Sequence, residues 1–386
     1  MTRHRCRCRV LIRSSLIALT VLALVLGSYL GLVAGRRRQE RALPVISLQQ
    51  RGGDPIGRIQ RQLTTGALDP TAPSPAHRTV SVWLWYPAQP ALDLGRAAYA
   101  PGPWKGLHLP GVVGFGEGSF DRLRTRSIPN ASIGGNVYGL VILQPGMGFA
   151  APQYQTLAEN LAAAGYVVAG ITPTYSANLT VIDGRAVRSS STGNPPDLGG
   201  HHGPSAAAAD RLVALWAADA VAVSRSIHRG KFADRLHGHL RNGTLYVGHS
   251  FGGAAALQAC ATDNVCRGAV DLDGTQFGSV VRTGVRHPVL LLGSGDSCVT
   301  GRCPEGAKLN RGDLAAARSL VRHSGHVSTR VFDGTRHFGF TDYAAYYLAA
   351  PLTRVLALGD QDGPKRLAAI CAAVAAFAHR TLPTSH

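Results

Sequence analysis

The stretch YVGHSFGGAAALQA, residues 246–259, places Ser250 between two glycines, Gly248 and Gly252. An apolar run ends at this serine and an alanine-rich run follows it, which predicts a strand, a sharp turn and a helix. In a G-x-S-x-G turn of this kind the serine hydroxyl projects from the edge of a sheet, and the glycines let two backbone segments pack closely. A helix starting at Phe251 would direct the positive end of its dipole toward the hydroxyl. The spacing therefore predicts that Ser250 is a nucleophile.

A serine hydroxyl is a weak nucleophile and needs a general base. The chain holds fifteen histidines, and the segment VFDGTRHFGFTDY, residues 331–343, places His337 just after the last strand-like run. That position matches the order in which such folds supply nucleophile, acid and base. His249 is next to the serine and is expected to shape the turn. His201 and His202 have no further ligands at metal-binding spacing, so no metal and no other cofactor are expected.

The acid that orients the base has two candidates, Asp273 and Asp296. They end the strand-like runs GAVDLDG and PVLLLGSGD, and the carboxyl ends of parallel strands meet at the sheet edge where ligands bind. Asp271 lies two residues deeper in its strand, so we expect it to have a structural role. Strand position alone leaves both Asp273 and Asp296 open.

An oxyanion formed at a substrate carbonyl requires two N–H donors. One is expected from Phe251, the residue after the nucleophile. The other is expected from Met147 in LVILQPGMGF, residues 140–149, where Gly146 and Gly148 would let the N–H face the site. The alternative is an ordinary glycine-rich turn between a strand and a helix.

The elements that would position these residues form a regular alternation from residue 139 onward. Uniformly apolar strands alternating with helices predict a mostly parallel central sheet covered by helices on both faces. The strand-like runs are 139–143, 166–171, 244–247, 268–272, 288–292 and 327–332, with an earlier one at 79–88. The helix-like runs are 152–164, 206–228, 251–262, 313–323, 342–356 and 365–380. The long polar segment 175–205 is expected to form a rim or partial lid over the site.

The N-terminal region combines an apolar segment with positive charge. Residues 14–35 carry no charged side chain, and residues 1–61 contain twelve arginines and two acidic residues, within a formal net charge of +18 for the chain. A helix of that apolar length spans the ~30 Å hydrocarbon core of a membrane. The heavier basic flank precedes the segment, which predicts a cytoplasmic N-terminus, although the arginines at 36–38 oppose this orientation. We therefore expect residues 14–35 to be a transmembrane signal-anchor.

A cleaved signal peptide is the alternative, for which Leu32 two residues before Ala34 is a poor match to a cleavage site. Either outcome exports the remainder of the chain. The predicted organisation is a cytoplasmic N-terminus at 1–13, the anchor at 14–35, a linker at 36–75 and a catalytic domain at 76–386. No nucleic-acid partner is expected, because no zinc-finger, helix-turn-helix or RNP-like pattern accompanies the positive charge.

The seven cysteines fit an exported chain, because disulfides persist outside the cytosol. Cys260 and Cys266 are six residues apart, and Cys298 and Cys303 are five apart. Each pair is expected to close a short loop. Zinc binding is a weaker alternative, because neither pair has the tight spacing of structural zinc sites. Cys371 is then left over, most simply as a buried thiol.

The motifs QPGMGF, GHSFGGAAA, VDLDGTQFG and RHFGFTDY, in that order, resemble the platelet-activating-factor acetylhydrolase family and its bacterial relatives. TVSVWLWYPA is similar to the early strand of that family, and the resemblance covers about residues 79–356. It implies an α/β-hydrolase fold, no metal, a triad of Ser250, Asp273 and His337, and hydrolysis of short or oxidised acyl esters. Two features depart from the family. Gln144-Pro145 stands where many relatives have a histidine before the glycine, and GSGDSC resembles cutinase-like polyesterases, whose acid falls on Asp296.

The expected function is that of a membrane-anchored, extracytoplasmic serine hydrolase acting on a lipid or small ester, with Asp273 favoured as the acid because of the resemblance. A peptidase or an acyltransferase would use the same residues. Two alternatives are a cutinase-like polyesterase with Asp296 as the acid, and a non-catalytic hydrolase-fold protein that binds ligands in the cell envelope.

Overall fold

A computed structural model describes most of the chain. The described residues are 2–42, 55–90, 95–108, 120, 123–134, 139–198, 201, 203–230, 236, 239–241, 243–305, 307, 310–346, 357–359 and 362–382. Within residues 2–42, the side chains described are those of 14–35 and 38.

The strands form a large central sheet and one small hairpin. The sheet contains β1 Ile56–Leu68, β2 His77–Pro87, β3 Ile128–Pro129, β4 Leu140–Gln144, β5 Val167–Thr172, β8 Thr244–His249, β9 Cys266–Leu272, β10 Val289–Ser294 and β11 Val327–Phe332; the hairpin is β6 Thr180–Ile182 with β7 Arg185–Val187. The strand order is β11-β10-β9-β8-β4-β5-β2-β1-β3. All pairs from β11 to β5 are parallel, whereas β2 runs antiparallel to both β5 and β1.

Helices cover both faces of this sheet. The helices of the described residues are α1 Thr2–Ala42, α2 Gln155–Ala163, α3 Gly203–His228, α4 Phe251–Thr262, α5 Val280–Thr283, α6 Arg311–His323, α7 Tyr343–Tyr346 and α8 Gly363–Thr381. Of these, α1 contributes no residue to the two cores of the sheet. Successive side chains of a strand point to opposite faces. Val141 and Leu143 of β4 accordingly lie in a core with α2 and α8, and Leu140 and Ile142 lie in a second core with α3, α4 and α6. The predicted mostly parallel sheet with helices on both faces is confirmed.

The predicted linker at 36–75 is wrong for residues 56–68, which form β1. This strand pairs with β2 from Ile56 opposite Pro87 to Leu68 opposite His77. Ile56 and Ile59 are buried, while most of the second half of β1 is exposed. The sequence IGRIQRQLTTGAL mixes polar and apolar residues because this strand lies near the edge of the sheet.

Three other predicted elements differ in their bounds. The run 152–164 begins as a 3-10 helix at Ala151–Tyr154 and continues as α2. The run 342–356 follows a 3-10 helix at His337–Phe340 and is α7 at its start, while residues 347–356 lie outside the described residues. The predicted rim at 175–205 contains the β6–β7 hairpin.

The N-terminal helix is long and apolar enough to cross a membrane. Its span Ser14–Gly35 has a mean hydropathy of 2.4, and only 6% of the span is buried in the protein. Leucines along the span, such as Leu19, Leu24 and Leu32, are exposed. An apolar surface of this extent needs a membrane or another apolar environment to cover it.

Both predicted cysteine pairs form disulfides. Cys260–Cys266 joins the end of α4 to the start of β9, with 5.2 Å between the Cα atoms. Cys298–Cys303 closes a loop after β10, with 4.2 Å between the Cα atoms. Cys371 is a free, buried thiol in α8. Burial raises the pKa of this thiol, so it stays protonated.

Candidate active site

Ser250 occupies a strained turn between β8 and α4. Its backbone has φ 55° and ψ −126°, in the region that L residues rarely adopt. A Cβ atom on Gly248 would overlap the carbonyl of Gly252, and a Cβ atom on Gly252 would overlap the carbonyl oxygens of Gln144 and Pro145. The turn therefore requires glycine at both positions, as the sequence predicts.

The structure brings Ser250, His337 and Asp273 together in one hydrogen-bonded series. His337 begins the 3-10 helix that follows β11. Its Nε2 atom lies 2.9 Å from Ser250 Oγ, and its Nδ1 atom lies 2.8 Å from Asp273 Oδ2. Because a carboxylate only accepts hydrogen bonds, Nδ1 carries the proton and Nε2 is left to accept the hydroxyl proton of Ser250.

Asp273 is held as a buried carboxylate at the end of β9. It has φ 56°, and its side chain is 1% exposed. Its Oδ1 atom accepts hydrogen bonds from the Ser294 N–H and the Ser297 hydroxyl, both at 2.6 Å. Burial alone would raise the pKa of Asp273, but the hydrogen bond and charge of His337 together with these two donors lower it below its usual range.

The alternative acid, Asp296, does not contact the His337 ring. Its carboxylate accepts a hydrogen bond from the Ser294 hydroxyl at 2.8 Å and forms an ion pair with Arg336 at 3.6 Å. Asp271 lies deeper in β9, as expected, and accepts hydrogen bonds from the Gly274 N–H and the Gln276 side chain. Burial raises the pKa of Asp271 well above its usual value.

The two predicted oxyanion donors are the backbone N–H groups of Phe251 and Met147. Phe251 is the first residue of α4, so its N–H has no acceptor within the helix. Met147 follows Gly146, and a Cβ atom on Gly146 would lie 3.1 Å from the Ser250 Cβ atom. Among the described residues, no acceptor is found for the Met147 N–H. Gly148, with φ 80°, turns the chain so that its own N–H binds the Ser176 carbonyl.

Comparisons with known proteins establish the fold. No protein-family model matches the sequence, and no curated protein matches it. The crystal structure of a ferulic acid esterase from Streptomyces cinnamoneus is 24% identical and has a TM-score of 0.71, over 88% of this chain and 93% of that chain. The chain has an α/β-hydrolase fold.

A second solved structure is less similar to this chain. It is a dienelactone hydrolase-like promiscuous phosphotriesterase from metagenomic libraries, with 12% identity and a TM-score of 0.46, over 84% of this chain and 99% of that chain. The platelet-activating-factor acetylhydrolase family is not confirmed by these comparisons, so that resemblance stays a prediction.

Apolar side chains form a cluster around Phe251, the residue after Ser250. Met147, Leu198 and Leu215 are partly buried and pack against a buried cluster that includes Trp216, Phe251 and Phe277, with the further members Ala209, Leu212, Val213, Ala254 and Ala255. This cluster contains Phe251, and Met147 packs against it; these are the two residues predicted to supply the oxyanion donors.

The histidines of the polar segment do not form a metal site in the described part of the chain. His201 lies with its Nε2 atom 2.7 Å from Asp313 Oδ1, and its ring stacks on Phe277. His202 lies outside the described residues. Among the residues that the structure describes, no group of three metal-ligating side chains occurs.

Two residues bond Asp273 directly and a third is linked to His337 only through His249, and no sequence pattern identifies the three. Ser294 and Ser297 bond Asp273, and only their place in GSGDSC hints at this. Tyr154 bonds His249, which in turn bonds the main chain of His337. The aromatic ring of Tyr154 is buried in the core, so in the sequence it resembles any other core residue.

Proposed function

We propose that the protein is a serine carboxylic-ester hydrolase in which Ser250 is the nucleophile, His337 the general base and Asp273 the acid that orients His337. The observation that carries the proposal is the continuous series of hydrogen bonds from Ser250 Oγ through the His337 ring to Asp273 Oδ2. The turn at Ser250 and the buried, charged state of Asp273 support these roles.

In the first half of the reaction, Ser250 Oγ attacks the ester carbonyl while His337 Nε2 removes its proton. The Asp273 carboxylate stabilises the positive charge that develops on the imidazole. The N–H groups of Met147 and Phe251 donate hydrogen bonds to the oxyanion. His337 then donates the proton to the departing alcohol, which leaves an acyl group on Ser250.

In the second half, His337 Nε2 accepts a proton from a water molecule, and the resulting hydroxide attacks the acyl carbonyl. The same two N–H groups bind the second oxyanion. Collapse of this intermediate releases the carboxylic acid, and His337 returns the proton to Ser250 Oγ. The side chain of His337 is 42% exposed, so water can reach the ring.

The proposed substrates are short or modified acyl esters, carried by lipids or small alcohols. The partly buried apolar side chains of Met147, Leu198 and Leu215, which pack against the Phe251 cluster, support an acyl chain or an aromatic acid as the part that binds there. Because the fold neighbour is described as a ferulic acid esterase, esters of ferulic acid belong among the compounds to be tested.

The proposed location is the cell membrane, with the catalytic domain on the extracytoplasmic side. The apolar helix at Ser14–Gly35 supports an anchor. The two disulfides support an oxidising compartment, because disulfides are rare in the cytosol.

Covalent labelling with a fluorophosphonate probe tests the proposal. We expect the probe to label the wild-type protein and the control Ser319→Ala, in which a serine of α6 outside the site is changed. We expect no labelling of Ser250→Ala, because the probe reacts with an activated serine. Equal labelling of Ser250→Ala and wild type would rule out this nucleophile.

Substrate profiling of the unlabelled wild-type protein then defines the acyl group. A series of p-nitrophenyl esters from acetate to palmitate, together with methyl ferulate, separates three preferences. Highest kcat/KM for the acetate and butyrate esters would support the short-acyl proposal. Highest kcat/KM for palmitate or for ferulate would replace it with a long-chain or an aromatic acid.

A further inference from the structure

A chain of hydrogen bonds connects the loop that carries Met147 to the backbone of His337. The Gly146 N–H lies 2.9 Å from the Tyr154 hydroxyl oxygen. The Tyr154 hydroxyl lies 2.7 Å from His249 Nδ1, and His249 Nε2 lies 3.0 Å from the His337 carbonyl oxygen. The chain therefore begins one residue before Met147 and ends on the residue proposed as the base.

The chemistry of the two end groups fixes the direction of every bond. The His337 carbonyl can only accept, so His249 Nε2 carries a hydrogen and donates it. A neutral imidazole has one donor and one acceptor, so His249 Nδ1 accepts from the Tyr154 hydroxyl. The Gly146 N–H can only donate, and the Tyr154 oxygen accepts it. Each group in the chain thus has a partner of the correct kind.

Burial keeps the chain intact. His249 is fully buried and Tyr154 is 1% exposed, so bulk water does not compete for these bonds. The His249 ring packs beside the rings of Phe149, Phe340 and His337. Burial and the neighbouring His337 lower the pKa of His249 to about 3, so this histidine stays neutral, and the hydrogen bonds at its two ring nitrogens fix its tautomer.

The packing at Gly146 leaves little room for movement of either partner. A Cβ atom on Gly146 would lie 3.1 Å from His249 Nδ1, 3.1 Å from Ser250 Cβ and 3.4 Å from the Tyr154 oxygen. A displacement of Tyr154 or His249 would therefore move the Gly146–Met147 segment and Ser250 together.

We propose that Tyr154 and His249 are positioning residues that hold the oxyanion loop and the backbone of the general base in fixed relation to Ser250. They touch no reacting atom and act through Gly146 and His337. This inference rests on the proposed function, because it assigns these residues to the same site. Its consequence is that loss of the Tyr154 hydroxyl reduces the rate of the chemical steps more than it changes binding.

Tyr154→Phe removes the hydroxyl and keeps the ring. We expect kcat for p-nitrophenyl acetate to fall about tenfold while KM changes less than twofold, because displaced donors and base raise the barrier without removing a substrate contact. The matched control is Tyr246→Phe, which removes a buried hydroxyl bonded to Asp263 at 2.5 Å on the same strand as His249. Tyr246→Phe is expected to lower the thermal midpoint and leave kcat unchanged.

A double-mutant cycle tests whether the two residues act as one chain. His249→Gln keeps an N–H donor for the His337 carbonyl. It does not keep an acceptor for the Tyr154 hydroxyl in the original place. If the chain acts as a unit, the double variant loses no more activity than the more impaired single variant. If the activity losses of the two single variants instead multiply in the double variant, Tyr154 and His249 act independently, which would overturn their action as one unit. If His249→Gln does not fold, the kcat of Tyr154→Phe decides alone.

The outcomes separate this inference from the proposed function. An inactive, unlabelled wild-type protein would contradict the proposed function itself. The other case is an active wild type and a Tyr154→Phe variant that loses thermal stability but keeps its kcat, measured well below both thermal midpoints. That result would overturn the positioning role and leave the proposed function in place.

Discussion

At the scale of single residues, the path of the chain after each strand separates the two candidate acids. Asp273 has a positive φ at the end of β9, and its carboxylate faces His337 Nδ1. Asp296 lies in the loop after β10 and faces Arg336 instead. The ends of β9 and β10 are equivalent in the sequence, so only the direction of the turn that follows each strand distinguishes the two aspartates.

Asp273→Asn is therefore expected to lower kcat by about 10⁴-fold, because an amide in place of the carboxylate stabilises the wrong tautomer of His337. Asp296→Asn is the matched control and is expected to keep kcat near the wild-type value. Steady-state kinetics on folded protein measures both. A large loss in Asp296→Asn with a near-normal Asp273→Asn would make the polyesterase-like assignment correct.

Asp342 provides a residue-scale prediction about stability. It is buried, and it accepts hydrogen bonds from the Tyr99 hydroxyl at 2.7 Å and the Thr156 N–H at 3.0 Å. Burial raises the pKa of Asp342 to about 7. A carboxyl group with a raised pKa in the folded state holds its proton where the unfolded chain has lost it. Stability therefore falls as pH rises from about 4 to about 7, and does not fall further above that range.

Asp342→Asn removes this titration. We expect the free energy of unfolding of the variant, relative to wild type, to increase by up to about 4 kcal/mol between about pH 4 and about pH 7. Urea unfolding at several pH values measures the difference, in which the other titrating groups cancel. A difference between the two proteins that is constant over this range would show that Asp342 is not protonated in the folded state.

The sequence is sufficient to predict that Ser250, its flanking glycines and His337 lie together, because that placement depends on local geometry and on chain order. Ser250 needs Gly248 and Gly252 whatever else surrounds it, and the structure places His337 beside it. The supporting residues could not be predicted in this way. Ser297 and Tyr154 reach the site through tertiary contacts, and their residue types carry no spacing rule.

At the scale of elements, β1 shows why a strand can be missed. Buried strands such as β4 and β5 have continuous apolar sequences, which is the signal of a strand covered on both faces. β1 lies near the sheet edge and exposes much of its length, so it contains Gln60, Arg61 and Gln62. Its backbone hydrogen bonds to β2 hold it in place, and these leave no mark on hydrophobicity.

The loop after β10 supports a prediction about the second disulfide. Cys298–Cys303 closes this loop immediately after Ser297, whose hydroxyl binds Asp273. We expect Cys298→Ala/Cys303→Ala to lower kcat several-fold, because a looser loop holds Ser297 less firmly on the carboxylate. Ser297→Ala is expected to lower kcat to a similar degree.

The first disulfide is the matched control. Cys260→Ala/Cys266→Ala opens a loop of similar length that joins α4 to β9 and has no hydrogen bond to the proposed triad among the described residues. We expect kcat to be unchanged. Each double variant should lose less than the ~3 kcal/mol of stability expected of a 15-residue loop. Equal kcat in the two double variants would contradict the link between the second disulfide and Asp273.

At the scale of the whole molecule, α1 carries a large apolar surface that the described residues leave exposed, apart from the buried Val33. Its span Ser14–Gly35 is 22 residues long, which corresponds to about 33 Å of helix at 1.5 Å per residue. This length matches the ~30 Å hydrocarbon core of a membrane. The α/β domain needs no such helix for its fold, because the two cores of the sheet are formed by other elements.

The final prediction concerns the orientation of the chain in the membrane. A reporter enzyme that works only outside the cytoplasm, fused after Arg41, is expected to be active, because the heavier arginine flank precedes the helix and is retained on the cytoplasmic side. The intact protein is expected to remain in the membrane fraction after alkaline carbonate washing. A variant with Leu22 and Leu24 changed to Arg disrupts the apolar span and is expected to lose both properties, because two charges at the helix centre cost several kcal/mol in a membrane. Soluble, active protein whose N-terminus lies between residues 28 and 45 would instead establish a cleaved signal and a secreted enzyme.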